Sequence, residues 1–154
     1  MHTHIIFHLL RRNSLEFEIC YNFSLRKATR LLTQFYESRL ADFGLKVGQF
    51  SILRAVSLLK ETTNKELQKR LVINQTTLTR NLKPLIRDGL LSLSTDIDDQ
   101  RIKLIRLTES GNELYKRALP SWIETQREVA KKIGSEDVDK ILTLTKSLEK
   151  SFNN

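Results

Sequence analysis

A run of short polar side chains at Gln75, Thr76, Thr77 and Thr79, with Arg80 and Lys83 just beyond, carries the most specific chemistry in this sequence. A glutamine carboxamide can bond adenine through two atoms, an arginine can fork onto guanine, and a threonine can meet a base edge or a thymine methyl. Each good two-point contact is worth roughly 1–3 kcal/mol of discrimination between bases. No acid interrupts the run until Asp88. Catalytic chemistry has no such foothold. The histidines, His2, His4 and His8, all lie within the first eight residues, so the body of the chain offers no imidazole base. There is no Gly-x-Ser-x-Gly elbow, phosphate loop or dinucleotide fingerprint. Cys20 is a lone thiol, which excludes an intramolecular disulfide and a multi-cysteine zinc site and fits a reducing cytoplasm. No cofactor is expected.

Charge points the same way. The chain has 154 residues and a formal net charge of +8, which favours a polyanionic partner because neutralised phosphates release counterions. The excess has a location: residues 63–106 hold nine basic and five acidic residues, whereas residues 107–154 hold eight of each. With 40% hydrophobic and 29% charged residues the chain has the material of one globular domain, and no apolar run is long enough for a membrane span.

Helices must position these groups. Leu25, Ala28, Leu32, Phe35 and Tyr36 have helical spacing up to Leu40, and Phe50, Leu53, Val56 and Leu59 repeat it after Gly48. Thr63-Asn64-Lys65-Glu66 reads as a capping box ahead of a short helix with Leu67 and Leu71 inward. Val72-Ile73 then turns the chain, and Asn74 caps a helix to about Arg87. On that second helix Leu78, Leu82, Leu85 and Ile86 fall within about 100° of each other. Thr76, Arg80, Lys83 and Arg87 centre the opposite face, with Thr77 and Thr79 flanking. Pro84 predicts a kink, because it removes a backbone donor and crowds the Arg80 carbonyl.

Beyond Asp88-Gly89 the period changes. Leu91 to Ser94 alternates, Asp96 to Arg101 is a polar loop, and Ile102 to Leu107 suits a return strand, which predicts a two-stranded hairpin. Helical spacing resumes from Thr108 to Ile133, bent at Pro120. After Gly134, Ser135 caps a last helix with Val138, Ile141, Leu142, Thr145, Leu148 and Phe152 on one face. The expected fold is mainly α with a small β-hairpin wing: a winged helix-turn-helix over 43–107, helical dimerisation segments at 14–42 and 108–154, and an N-terminal arm at 1–13.

Several stretches carry a resemblance. Gly44-Leu45, Gln49-Phe50, Glu66-Leu67, Thr76-Thr77-Leu78-Thr79-Arg80, Asp88-Gly89-Leu90, Asp99 with Arg101, and Leu107-Thr108-Glu109-Ser110-Gly111 resemble, in order and at normal spacing, the MarR family of bacterial transcription regulators. Leu25-Arg26-Lys27-Ala28 and Asn81-Leu82-Lys83-Pro84-Leu85 resemble one branch of it, which also accounts for Pro84. The resemblance implies a cytoplasmic homodimer whose N- and C-terminal helices interlock. Its two winged domains would read double-stranded DNA at half-sites roughly one helical turn, 34–36 Å, apart. It implies that Arg101, oriented by Asp99, enters the minor groove with Lys103 nearby. It further implies modulation by a small aromatic ligand or an oxidant, and repression as the default outcome. The wing departs from the pattern: Asp98 stands where an arginine is common, which weakens attraction to phosphate. Cys20 and Tyr36 resemble the cysteine–tyrosine pair of the family's peroxide sensors, although Cys20 falls two residues off register, some 200° around a helix. A competing expectation is a helical adaptor of this fold that no longer binds DNA.

Overall fold

The computed structural model describes residues 20–152. The expected arm at 1–13, with its histidines, and the start of the dimerisation segment lie outside these residues. Helix α1 runs Tyr21–Leu40 and ends in a tight turn, Ala41–Phe43. It is followed by α2 (Val47–Leu59), strand β1 (Glu61–Thr63), α3 (Asn64–Leu71) and α4 (Gln75–Arg87). Strands β2 (Leu91–Thr95) and β3 (Lys103–Leu107), then α5 (Glu109–Ile133) and α6 (Ser135–Phe152), follow among the described residues. No described helix is long and apolar enough to cross a membrane.

The chain divides into two units, one ending at Phe35 and one beginning at Tyr36. In the first, α1 is mostly exposed, with Leu25 at 41% and Leu31 at 61%. The second has one core. Phe50, Ile52, Leu53 and Val56 of α2 meet Leu67 of α3, Leu78 and Leu85 of α4, and Ile105 of β3, each almost wholly excluded from water. Burying side chains of this size removes apolar surface worth roughly 1.5–3 kcal/mol each, which holds α3 and α4 far more firmly than helix propensity could. Aromatic rings extend the core upward: the Trp122 ring lies 4.6 Å from Phe50 and 4.5 Å from Tyr36, centroid to centroid. The end of α1 is tied to α5 by Arg39 on Glu128 at 2.8 Å and by the Ser121 hydroxyl donating to the Arg39 carbonyl at 3.2 Å.

The expected hairpin is present, with Leu93 opposite Ile105, but the sheet has a third strand. β1 pairs antiparallel with the free edge of β3, Thr62 opposite Ile105, giving the order β1-β3-β2. Three residues are too few to show a period of two, and Thr63 was more legible as a helix cap. It is both: its hydroxyl accepts from the Glu66 amide at 3.2 Å. The reciprocal half of the expected capping box is replaced by an ion pair of Glu66 with Arg70. Ser135 is the first residue of α6 rather than its cap. At Pro84 the helix does not stop. α4 runs on to Arg87, where the Pro84 carbonyl accepts from the Asp88 amide at 2.9 Å.

The turn between α3 and α4 is tight because Val72 adopts a left-handed conformation, φ 50°, and sends its amide back to the Gln68 carbonyl. A β-branched residue is disfavoured there by roughly 1–2 kcal/mol. Burial of Leu67 and Leu78 on either side of the turn holds it in place.

Candidate nucleic-acid interface

One helix presents most of the candidate groups. α4 begins at Asn74, whose side chain accepts from the Thr77 amide at 2.8 Å, so the first turn is capped and its exposed residues are fixed in direction. Leu78, Leu82 and Leu85 lock the inner face into the core, with Ile86 half-buried beside them. What remains outside follows from that registration. Gln75, Thr76, Thr79, Arg80 and Lys83 line one open groove, joined by Pro84 and Arg87. Five of the expected residues therefore share a surface. Thr77 does not line it: its amide is taken by Asn74 and its carbonyl accepts from Asn81 at 2.9 Å.

Charge on this face is graded along the helix. Arg87, in the last turn, is held in a two-point contact with Asp88, 2.7 Å from Nε to Oδ1 and 3.2 Å from Nη2 to Oδ2. That contact holds the Asp88 carboxyl below the usual carboxylate range and raises the arginine. Arg80 and Lys83, both exposed, carry the positive charge nearer the N-terminus.

A second basic cluster lies at the base of the wing. Arg101 and Lys103 line a recess with Thr63, Asn64, Lys65 and Ile102. The Lys103 ammonium donates to the Thr95 hydroxyl at 2.8 Å, across the strand pair that sets Thr95 opposite Lys103. Arg101 is 94% exposed, with Nε 3.9 Å from an Asp99 carboxylate oxygen, and the same oxygen accepts the Arg101 amide at 2.9 Å. Asp99 thus orients the backbone of Arg101 more firmly than its guanidinium. Asp96 accepts the amides of Asp98 and Asp99 at 2.8 and 3.1 Å, a local turn that leaves Ile97 97% exposed at the tip. Two of the three wing carboxylates are therefore engaged by backbone N–H groups, and Asp98 is the one directed to solvent.

Sequence reading missed Lys65, which sits second in α3 and joins Arg101 and Lys103 only once β1 has packed on β3. It also missed Gln68, which donates to the Gln75 carboxamide at 2.7 Å. Neither leaves a pattern in the linear sequence. Of the expected sensor residues, Cys20 is a free, exposed cysteine at the start of α1. Tyr36 is buried against Trp122, and burial pushes its phenol pKa up.

The arrangement can be compared with known proteins. Residues 34–118 match the family model described as transcriptional regulator SarA/Rot. An uncharacterized HTH-type transcriptional regulator of Staphylococcus aureus is 34% identical over 51% of this chain and 54% of its own length, so the chain spans about half the length of such curated relatives. The HTH-type transcriptional regulator SarZ of Staphylococcus saprophyticus is 26% identical over 92% of both chains. Among solved structures, the M. tuberculosis transcriptional regulator MosR in complex with DNA superposes with a TM-score of 0.74 at 36% identity, covering 86% of this chain and 98% of that one.

Proposed function

The chain belongs to the SarA/Rot family of transcriptional regulators, a winged-helix group of the MarR type and not an enzyme family; on that premise we propose that it binds double-stranded DNA as a homodimer and represses transcription from a palindromic site. In this reading residues 43–107 form the DNA-binding domain, while 14–42 and 108–154 join the two subunits. The observation that carries it is the outer face of α4, where Gln75, Thr76, Thr79, Arg80 and Lys83 share one surface while the inner face is anchored in the core. The groove-lining hydroxyl, carboxamide and guanidinium groups suit base edges, and the ammonium groups suit phosphates. MosR, solved with DNA at 36% identity, supports the same partner.

The homodimer is supported by α6. It has no buried residue, and Ile141, Leu142, Leu144, Leu148 and Phe152 are 36–79% exposed. An amphipathic helix with its apolar side in water calls for a covering surface, and a second copy supplies one with two-fold symmetry. A ligand or oxidant would act by shifting the pair between DNA-competent and incompetent spacings of the two α4 helices. Cys20 and Tyr36 are the proposed sensor residues, and a small aromatic effector is the proposed ligand class.

Arg80→Ala and Lys83→Ala test the reading face. On a selected operator, Arg80→Ala should lose roughly 1–3 kcal/mol and relax base preference at one position in each half-site. Lys83→Ala should weaken all duplexes by a similar factor and make binding less salt-dependent. Competitive binding against base-substituted duplexes separates the two. Wild-type behaviour from both variants would remove this face from the interface. Absence of duplex binding by the wild type would instead favour a protein-interaction adaptor.

A further inference from the structure

Gln68 belongs to α3 and does not line the groove formed by α4. Its side-chain amide nevertheless heads a chain of hydrogen bonds that ends there. Gln68 Nε2 donates to the Asn64 backbone carbonyl at 3.3 Å and to Gln75 Oε1 at 2.7 Å, and Gln75 Nε2 donates to the Thr79 hydroxyl at 3.1 Å. The anchor sets the direction of the whole chain. A backbone carbonyl can only accept, so the nitrogen and not the oxygen of Gln68 must face Asn64. With both its protons then committed, Gln68 offers Gln75 a donor, and Gln75 must answer with its oxygen. Its nitrogen is thereby turned to Thr79. A reversed Gln75 would set two donors against each other.

Free rotation of the exposed Gln75 carboxamide is removed, and its remaining capacity is defined. A carboxamide has two N–H groups and two oxygen lone pairs. One of each is used in the chain, which leaves one donor and one acceptor. Adenine offers the complement in the major groove, an N6 donor beside the N7 acceptor, whereas guanine offers two acceptors at N7 and O6. We propose that Gln68 is a positioning residue for base recognition, orienting the Gln75 carboxamide toward an adenine without itself touching DNA. The inference rests on the proposal that α4 enters the major groove.

The test uses the full chain and duplexes selected from a random pool by the wild type. The base pair faced by Gln75 is the one whose preference disappears in Gln75→Ala. At that pair the wild type should prefer adenine over guanine, and Gln68→Ala should reduce this preference roughly tenfold. Gln68→Glu, which keeps the shape but has no proton to donate, should reduce it by a similar factor. Gln68→Ala should not change affinity for non-specific duplex or its salt dependence, whereas the added negative charge of Gln68→Glu should weaken all duplexes alike at low salt. In a Gln75→Ala background, Gln68→Ala should have no further effect on base preference, a result that a merely structural role would not give. Undiminished adenine preference in both Gln68 variants, or an equal loss with and without Gln75, overturns the inference while leaving the DNA reading intact. A wild type that binds no duplex overturns both.

Discussion

Gly111→Ala is expected to lower the stability of the fold by on the order of 3 kcal/mol. Gly111 lies in the first turn of α5, and a methyl group there would overlap the carbonyl oxygen of Leu90 and sit 2.8 Å from its carbonyl carbon. Both are backbone atoms with little room to retreat. The Leu90 carbonyl accepts from the Thr108 amide at 3.2 Å, and its own amide donates to Leu85 at 2.8 Å. The same junction is closed by hydroxyls. Thr108 and Ser110 both donate to the Gly89 carbonyl, at 2.6 and 3.0 Å, while Thr108 also accepts the Gly111 amide at 3.0 Å. Gly89, at φ +68°, supplies the left-handed turn that brings the end of α4 under the start of α5. Adding one carbon therefore pushes apart the joint that fixes α4 to α5. Thermal unfolding at matched protein concentration should show a midpoint lower by roughly 6–12 °C. Ser110→Ala, which removes one hydroxyl and adds no bulk, should lose only about 1 kcal/mol. An unchanged midpoint in Gly111→Ala would mean that the joint is looser than described.

A second large effect is expected from salt. Lys65, Lys83, Arg101 and Lys103 stand on the proposed DNA side, and the proposed homodimer would present them twice. About eight phosphate contacts should lower duplex affinity by roughly four powers of ten between 50 and 200 mM monovalent salt. Asp98 at the wing tip works against this attraction and should bring the slope below the full count of cations. Asp98→Asn should therefore tighten binding at low salt, with the gain shrinking as salt rises. Measured affinity that hardly changes over this range would contradict phosphate binding by these clusters.

The parts legible in the sequence were those with a local signature. The inner face of α4 could be read from the spacing of Leu78, Leu82 and Leu85, and its start from Asn74, because both depend on residues within one or two turns. The wing was legible for the same reason, through alternation at Leu91 and Leu93 and the polar stretch after Asp96. Long-range features were not. β1 exists because the far edge of β3 was available for pairing, which no three-residue pattern announces. Val72 at positive φ runs against its own preference and is held by packing on both sides of the turn. The Gln68–Gln75 contact joins two helices across that turn, so its logic appears only when α3 and α4 are placed together.

The central claim is that α4 sits in the major groove and is presented twice by a symmetric pair. Selection of bound duplexes from a random pool, followed by sequencing, tests it most directly. The account predicts an enriched inverted repeat with half-site centres roughly 34–36 Å apart along the helix, bound by two subunits. A pool that returns no enrichment, or a single unrepeated site bound by one subunit, would contradict it.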